Sequence, residues 1–323
     1  MDELTQISFH RMLPGSWWRP LLEAVVFIFF AVVFFFGFAL VAGFSLGDEV
    51  FDAIDDMSRP GPFAVGLGLI IVLGAAAWVA ASICRRSRSV PAARRGARGL
   101  WSVYGRVRWG LAAQAVLPAA VAWVVAYLPV TAVECNPPRW DSTAAMLLAL
   151  TVTLVPLQAL SEELVFRALL PQWLGRWFRS PWLAYLPGFG LFIAGHTYDA
   201  KGLVAIAVFA AAATVLTWYT GGIEAATVVH AVGNVFAFGS AAVGLTDPNA
   251  VEVSWASVAA EVVFSVGATA WILYLVRRRP QLVSANPAGL PGGPHEWSAT
   301  VVTPQPPAAQ RPPRPARRPG HPE

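Results

Sequence analysis

Charge is what this chain has least of. Asp, Glu, Lys and Arg make up 13% of its 323 residues, against 56% hydrophobic, whereas soluble domains carry about 25% charged residues. That deficit excludes an ordinary soluble domain and points to a membrane protein. Cysteine is nearly absent. Cys84 and Cys135 are the two in the chain, with no CxxC and no metal-ligand spacing, which excludes a disulfide scaffold or a zinc finger. They fall at opposite sides of the expected membrane and are read as unpaired small hydrophobes. There is no internal repeat. The net charge of +4 does not make a nucleic-acid surface, because the arginines cluster in the gaps between apolar runs, where a membrane protein needs them. Nucleic acid is therefore not an expected partner; membrane lipid is.

What is present is long apolar sequence, with fourteen Trp and nineteen Phe of the kind that settle at membrane interfaces and in apolar cores. A transmembrane helix needs about 20 apolar residues. Eight segments are read as spans: 21–44, 61–84, 110–133, 143–172, 181–198, 202–219, 223–244 and 254–276. The first is too long for a signal-peptide core, lacks a convincing cleavage site, and is read as a retained helix. Residues 85–108 hold eight arginines and no acidic residue, so the positive-inside rule makes this loop cytoplasmic. Alternation then places Arg11, Arg19, Arg176, Arg179 and Arg277–Arg279 inside, and Asp48, Glu49, Asp52, Asp55, Asp56, Glu134 and Asp247 outside. The expected fold is all-α and polytopic, in the cell membrane, with both termini cytoplasmic.

Three regions follow: a cytoplasmic N-terminus (1–20), a transmembrane domain (21–279), and a tail (280–323) that holds twelve of the 26 prolines. The tail cannot bury enough surface to offset the entropy of ordering, and is read as a disordered cytoplasmic segment of polyproline character. Pro304–Pro307 has the look of a ligand for a partner, of unknown identity, although a solvated basic tail near anionic lipid is the simpler reading.

Ionisable side chains inside spans are rare, costly and usually functional. The fourth span contains Glu162, Glu163 and Arg167, the fifth Phe192 and His196, and the seventh His230 and Asn234. Glu163 and Arg167 are four apart, the favourable order for an ion pair, and Glu162 projects about 100° away from Glu163, free to face a cavity. His230 and Asn234 share a helical face, and Phe192 can pack beneath the His196 imidazole. Taken singly, each of these is a structural ion pair or an interhelical hydrogen bond; together, on three nearby spans, they read as a functional site. A carboxylate and an imidazole can take a proton from water, while a second His with an Asn can donate to an oxyanion. Equally, Glu162, His196 and His230 are the ligand types of a catalytic zinc. The residues alone do not choose between the two schemes. Glu23, Glu224, Glu261, Gln114 and Gln158 carry no motif and are read as packing or water-contacting groups, with Glu261 the least comfortable of them.

The ordered blocks EExxxR (Glu162–Arg167), FxxxH (Phe192–His196) and HxxxN (His230–Asn234) resemble the CPBP family, the CAAX proteases and bacteriocin-processing (Abi) membrane proteins, over about Thr143–Gly244. The resemblance implies an intramembrane endopeptidase acting on a peptide or protein substrate. Within it Glu162 and His196 would activate water, His230 and Asn234 would stabilise the oxyanion, and Glu163 and Arg167 would be supports. The family is often called metalloprotease, and a metal-free glutamate mechanism is also argued for it. It also includes members that serve as immunity or scaffold proteins, the non-catalytic alternative. Geometry raises one conflict. Glu162 would lie roughly 15 Å from the cytoplasmic end of its span and His196 roughly 22 Å from the start of the next. Pro181, Pro187, Gly188 and Gly190 are expected to delay or kink the start of the fifth helix so that the two residues meet.

Overall fold

The computed structural model describes residues 8–47, 49–86, 92–134 and 136–283. Eight helices of more than ten residues follow in order: α1 (Arg19–Leu46), α2 (Pro60–Cys84), α3 (Trp109–Glu134), α4 (Ser142–Leu174), α5 (Pro181–Ala194), α6 (Ala200–Thr220), α7 (Glu224–Ala242) and α8 (Trp255–Arg278). No strand occurs among the described residues. The chain is an all-α, multi-pass membrane protein, in which seven of the helices are long and apolar enough to cross a membrane.

Local chemistry sets the helix ends. Pro20 and Pro60 sit in the first positions of α1 and α2, where a missing N–H is no loss. Asp141, Asp199 and Ser254 cap α4, α6 and α8, accepting from the amides of Ala144, Gly202 and Ser257 at 2.8, 2.9 and 3.0 Å. Gly221 ends α6 at φ +69°, a left-handed turn suited to glycine.

The fifth helix departs from the expected span. It begins at Pro181, undelayed, but stops at Ala194. Its 14 residues rise only about 21 Å, short of the ~30 Å hydrocarbon core. The chain nevertheless reaches the far end of the bundle. The Asp199 amide donates to the Val251 carbonyl at 3.0 Å, in a loop that belongs to the end opposite Arg179. The crossing is thus completed by non-helical residues Gly195–Asp199, and the turn of helix that 181–198 lacks is the segment that carries His196. Irregular backbone at such depth is tolerated where it lines a cavity or is buried in protein.

The two ends of the bundle differ in charge, as the loops foretold. At one end the connection before α3 binds the N-terminal segment, with Arg94 Nε donating to the Met12 carbonyl at 2.9 Å, and binds the α6–α7 turn, where the Ile223 amide donates to the Trp101 carbonyl at 3.0 Å. At the other end Asn249 links to Met57 and Asp56 at 2.8 and 3.0 Å, and the Asn136 amide donates to the Leu245 carbonyl at 3.1 Å. The described chain begins and finishes at the basic end. Cys84 lies there with a free thiol; Cys135, Asp48 and tail residues 284–323 lie outside the described residues.

In the bundle α7 is central, packed against α3, α4 and α6, while α1 leans mainly on α2 and turns the rest of its surface outward. Exposed Phe29, Phe35, Phe36 and Leu40 on α1 are what lipid requires of an outer helix. Close approach to α4 depends on two glycines. At Gly74 of α2 there is no room for a Cβ beside Ser161, and a Cβ on Gly188 of α5 would meet the Phe166 carbonyl oxygen at 2.6 Å. These two contacts bring α2 and α5 onto α4 on either side of Glu162.

Candidate active site

Within α4 the regular helix ends at Glu162 and a π-helical stretch, Glu163–Leu169, follows before the α-helix resumes at Leu170–Leu174. Such wider turns recur at functional sites, because they displace side chains from the regular register. Here the π stretch begins between the two adjacent glutamates. Glu162 faces a cavity of about 200 Å³ lined also by Ile70 and Leu73 of α2, Phe166 and Phe192, and Gly195 and His196 of the unwound segment. The depth conflict between Glu162 and His196 is therefore resolved, though not by delaying α5. Its early end, and the continuation of α4 to Leu174, bring both residues to one cavity.

The His196 ring is fixed from behind. Its Nδ1 lies 2.7 Å from the Phe192 carbonyl oxygen. An oxygen of that kind only accepts, so Nδ1 carries the proton and Nε2 is the nitrogen left for other work. The Phe192 ring packs against the imidazole with centroids 4.9 Å apart, as the one-turn spacing suggested, and the Arg167 guanidinium lies 3.9 Å above the same ring. Stacking a cation on an aromatic face suits a guanidinium in a desolvated place.

His230 stands between the two glutamates. Its Nδ1 is 2.8 Å from Glu163 Oε1 and its Nε2 3.3 Å from Glu162 Oε2. Arg167 Nη1 lies 3.3 Å from the same Glu163 oxygen, which makes the expected ion pair. Glu162 is consequently not clear of Glu163, since one imidazole touches both. Asn234 turns elsewhere and donates from Nδ2 to Gln158 Oε1 at 3.2 Å. Neither His230 nor Asn234 lines the cavity; His230 reaches it through Glu162. Proton accounting follows. Two carboxylates, one guanidinium and one imidazole balance to zero charge when they hold a single proton between them, on the imidazole or on a carboxyl. In an apolar interior that balance is what makes the group tolerable.

The zinc set fares differently. Both ring nitrogens of His230 already face carboxylate oxygens, and one nitrogen of His196 is held by a carbonyl. Among the described residues no three His, Cys, Asp or Glu side chains are grouped to hold a metal ion. As placed, Glu162, His196 and His230 do not make a metal centre.

Sequence reasoning missed three features. Gln158, one turn before Glu162 and 5% exposed, is Asn234's partner; a glutamine at i−4 from the catalytic candidate was the available signal. Glu261, left as the uneasy residue, accepts from the Tyr127 hydroxyl at 2.8 Å and the Ser265 hydroxyl at 2.5 Å, a polar link between α3 and α8 that spacing within one span cannot reveal. Glu23 and Glu224 are not loose packing groups. Glu23 pairs with Arg85 at 2.9 Å. Glu224 takes two bonds from the Arg108 guanidinium, at 2.8 and 2.6 Å, and a third from the Arg108 amide at 3.0 Å. Two of the eight loop arginines are thus buried partners rather than free interfacial charge.

Fold and site together define a polytopic helical membrane protein with a buried glutamate–histidine centre beside a cavity. Residues 143–236, from the start of α4 to Phe236 in α7 and including every motif residue, match the family described as Type II CAAX prenyl endopeptidase Rce1-like. That match agrees with the resemblance to CAAX proteases and supports a membrane protease at the level of family. No curated protein and no solved structure matches the chain.

Proposed function

We propose that this protein is an intramembrane endopeptidase in which a glutamate–histidine pair activates water against a peptide bond. The observation that carries the reading is the shared cavity. Glu162, from α4, and His196, from the unwound segment after α5, border one space large enough for a peptide segment's backbone and a side chain, in the interior of a membrane bundle. Glu162 takes the proton of the attacking water and returns it to the amide nitrogen as the C–N bond breaks, so that the amine leaves and Glu162 is again a carboxylate. Burial and contact with His230 hold its carboxylate in place, and the positive charge gained with water's proton is offset by the negative charge that develops on the attacked carbonyl oxygen. His196, with Nδ1–H committed to the Phe192 carbonyl, presents Nε2 to orient the water or, once protonated, to donate to the oxygen that develops charge. Glu163 and Arg167 fix His230 from behind. Asn234 joins the site only if it leaves Gln158, so its support for an oxyanion is a role for the substrate-bound state. No step needs a metal, and none is routed through one.

In this reading the basic end faces the cytoplasm of a cell-membrane protein, following the arginine distribution. The apolar lining of Ile70, Leu73 and Phe166 suits an apolar side chain beside the scissile bond. The test is cleavage of a broad pool of peptides and membrane-protein fragments by purified protein, with Glu162→Ala of matched melting temperature alongside, each with and without chelator. Cleavage by wild type alone, indifferent to chelator, is the expected result. Cleavage abolished by chelator would require a rearranged, metal-holding site. No cleavage by either form would instead favour a non-catalytic immunity or scaffold role, with the polar centre as packing.

A further inference from the structure

At the basic end a second set of groups has no partner among the described residues. The turn Phe9–Arg11 packs against the connection between α4 and α5, with His10 Nε2 donating to the Arg179 carbonyl at 3.2 Å. Gly175 lies so close to the His10 carbonyl that a Cβ has no room, and Trp177 Nε1 donates to the Trp17 carbonyl at 2.9 Å. This locks Arg11 beside Arg176 and Arg179. No acidic side chain pairs with any of the three among the described residues. Burial, and then the charges of Arg179 and Arg176, push the Arg11 guanidinium below its ordinary pKa, the mark of like charges held together. Close by, His10 Nδ1, Arg176 Nε and the Tyr185 hydroxyl are buried without a hydrogen-bond partner among the described residues, the His10 and Tyr185 rings being 6.2 Å apart. Buried polar atoms are normally satisfied, and three guanidinium groups held together attract an anion.

The surroundings say which anion. Trp17 is 67% exposed and Trp182 64%, with Trp177 and Phe178 also outward; such rings sit at headgroup level in a membrane. Leu183 and Leu186 on the next turns of α5 are exposed too, which is where an acyl chain would lie. We propose that Arg11, Arg176 and Arg179, over the His10–Tyr185 floor, form a binding site for the phosphate of an anionic phospholipid headgroup. Guanidinium forks match phosphate oxygens in pairs, and an occupied site would tie the N-terminal segment to the foot of α5, the helix that leads to His196. The site is independent of the proposed peptidase activity and can be tested without it.

The experiment is lipid titration of the full chain in detergent, read by native mass spectrometry, with phosphatidylglycerol or phosphatidylcholine as probe. Wild type is compared with Arg11→Gln/Arg176→Gln/Arg179→Gln and with Arg277→Gln/Arg278→Gln, which removes two charges from the same end at α8. Retention of phosphatidylglycerol over phosphatidylcholine is expected for wild type and the α8 variant. The triple variant should weaken it by on the order of a hundredfold, the weight of three basic side chains at an anionic surface. If the triple variant does not fold, Arg179→Gln alone, at an exposed position, should lower retention several-fold. Excess inorganic phosphate should leave the lipid bound. Equal retention by the triple variant and wild type would overturn the proposal. So would equal losses in the triple and α8 variants, or displacement of the lipid by phosphate, which would make this a site for a free anion.

Discussion

Two kinds of buried charge occupy this bundle, and they are built differently. At the basic end, Arg85 meets Glu23 and Arg108 meets Glu224, one cation to one anion. Their remaining donors go to Gln172 and the Thr220 carbonyl at 2.7 and 2.5 Å. These groups are buried, each within 6% exposure. In the middle of α4, two carboxylates share one guanidinium and one imidazole, and one of the carboxylates borders open space. A closed pair has nothing left over to react. The centre at Glu162 has one more carboxylate than guanidinium and borders a cavity, which is what the proposed chemistry requires. In the proposed reading the same residue types therefore mean structure in one place and function in the other, and the difference lies in stoichiometry and access.

The comparison breaks most sharply under substitution of one carboxylate from each kind. Glu162→Gln keeps volume and hydrogen bonding and should leave the melting temperature near wild type. Peptide cleavage should fall by roughly 10²–10⁴-fold, the usual weight of a general base. Glu224→Ala should behave oppositely, because it strands the Arg108 guanidinium in the bundle; a loss of roughly 3–5 kcal/mol is expected for a broken buried pair. Thermal melting of the two variants in the same detergent, beside cleavage assays, checks both. A destabilised Glu162→Gln with residual activity in proportion to its folded fraction would erase the distinction.

The closed pairs carry a sharper signature. Removing both partners at once, Glu23→Leu with Arg85→Leu, should recover most of what either single substitution loses, since no charge is left unpaired. The same treatment of Glu163 and Arg167 should not restore cleavage even where it restores the fold, because His230 then lacks the carboxylate that holds its Nδ1. A double-mutant cycle at each pair, read by melting temperature and by turnover, separates these outcomes. A smaller effect belongs to Gln158→Leu, which frees the Asn234 amide: about 1 kcal/mol of stability for a lost neutral hydrogen bond, and a modest change in turnover.

How much of this was legible beforehand follows the range of the interactions. The spans, the charge asymmetry of the ends and the Glu163–Arg167 and Phe192–His196 contacts could be read because each depends on composition or on residues four apart. The placement of Glu162 and His196 at one cavity was legible only as a requirement: two residues with matching chemistry had to meet, and the proposed means, a late start to the fifth helix, was not the one used. A helix's early end has no strong breaker to announce it here; Gly195 is not even in a positive φ. The pairings of Glu23 with Arg85 and Glu224 with Arg108 link positions 62 and 116 residues apart, beyond any periodicity. The bridging of both glutamates by His230 depends on a π-helical stretch for which no residue in Glu163–Leu169 is diagnostic.

The smallest expected effect lies at the acidic end and concerns the segment that carries His196. Asp199 caps α6 and its carboxylate also receives the Val253 amide at 3.4 Å and lies 3.3 Å from Lys201. The bond from the Gly202 amide, above all, holds its carboxyl below the ordinary aspartate pKa. A carboxyl with a depressed folded-state value stabilises the fold above its unfolded value, about 3.9, and loses that contribution as pH falls through the lower folded value. The cap should therefore be intact at neutral pH and loosen only in acid, below about pH 4. Hydrogen exchange of the Ala200–Leu203 amides, corrected for the intrinsic pH dependence of exchange, should show protection that is constant from neutral pH down to that point and lower beneath it. Asp199→Ala should lack the protected phase at every pH. Protection that instead fell between pH 6 and 7 would show that the Asp199 carboxylate does not carry the cap.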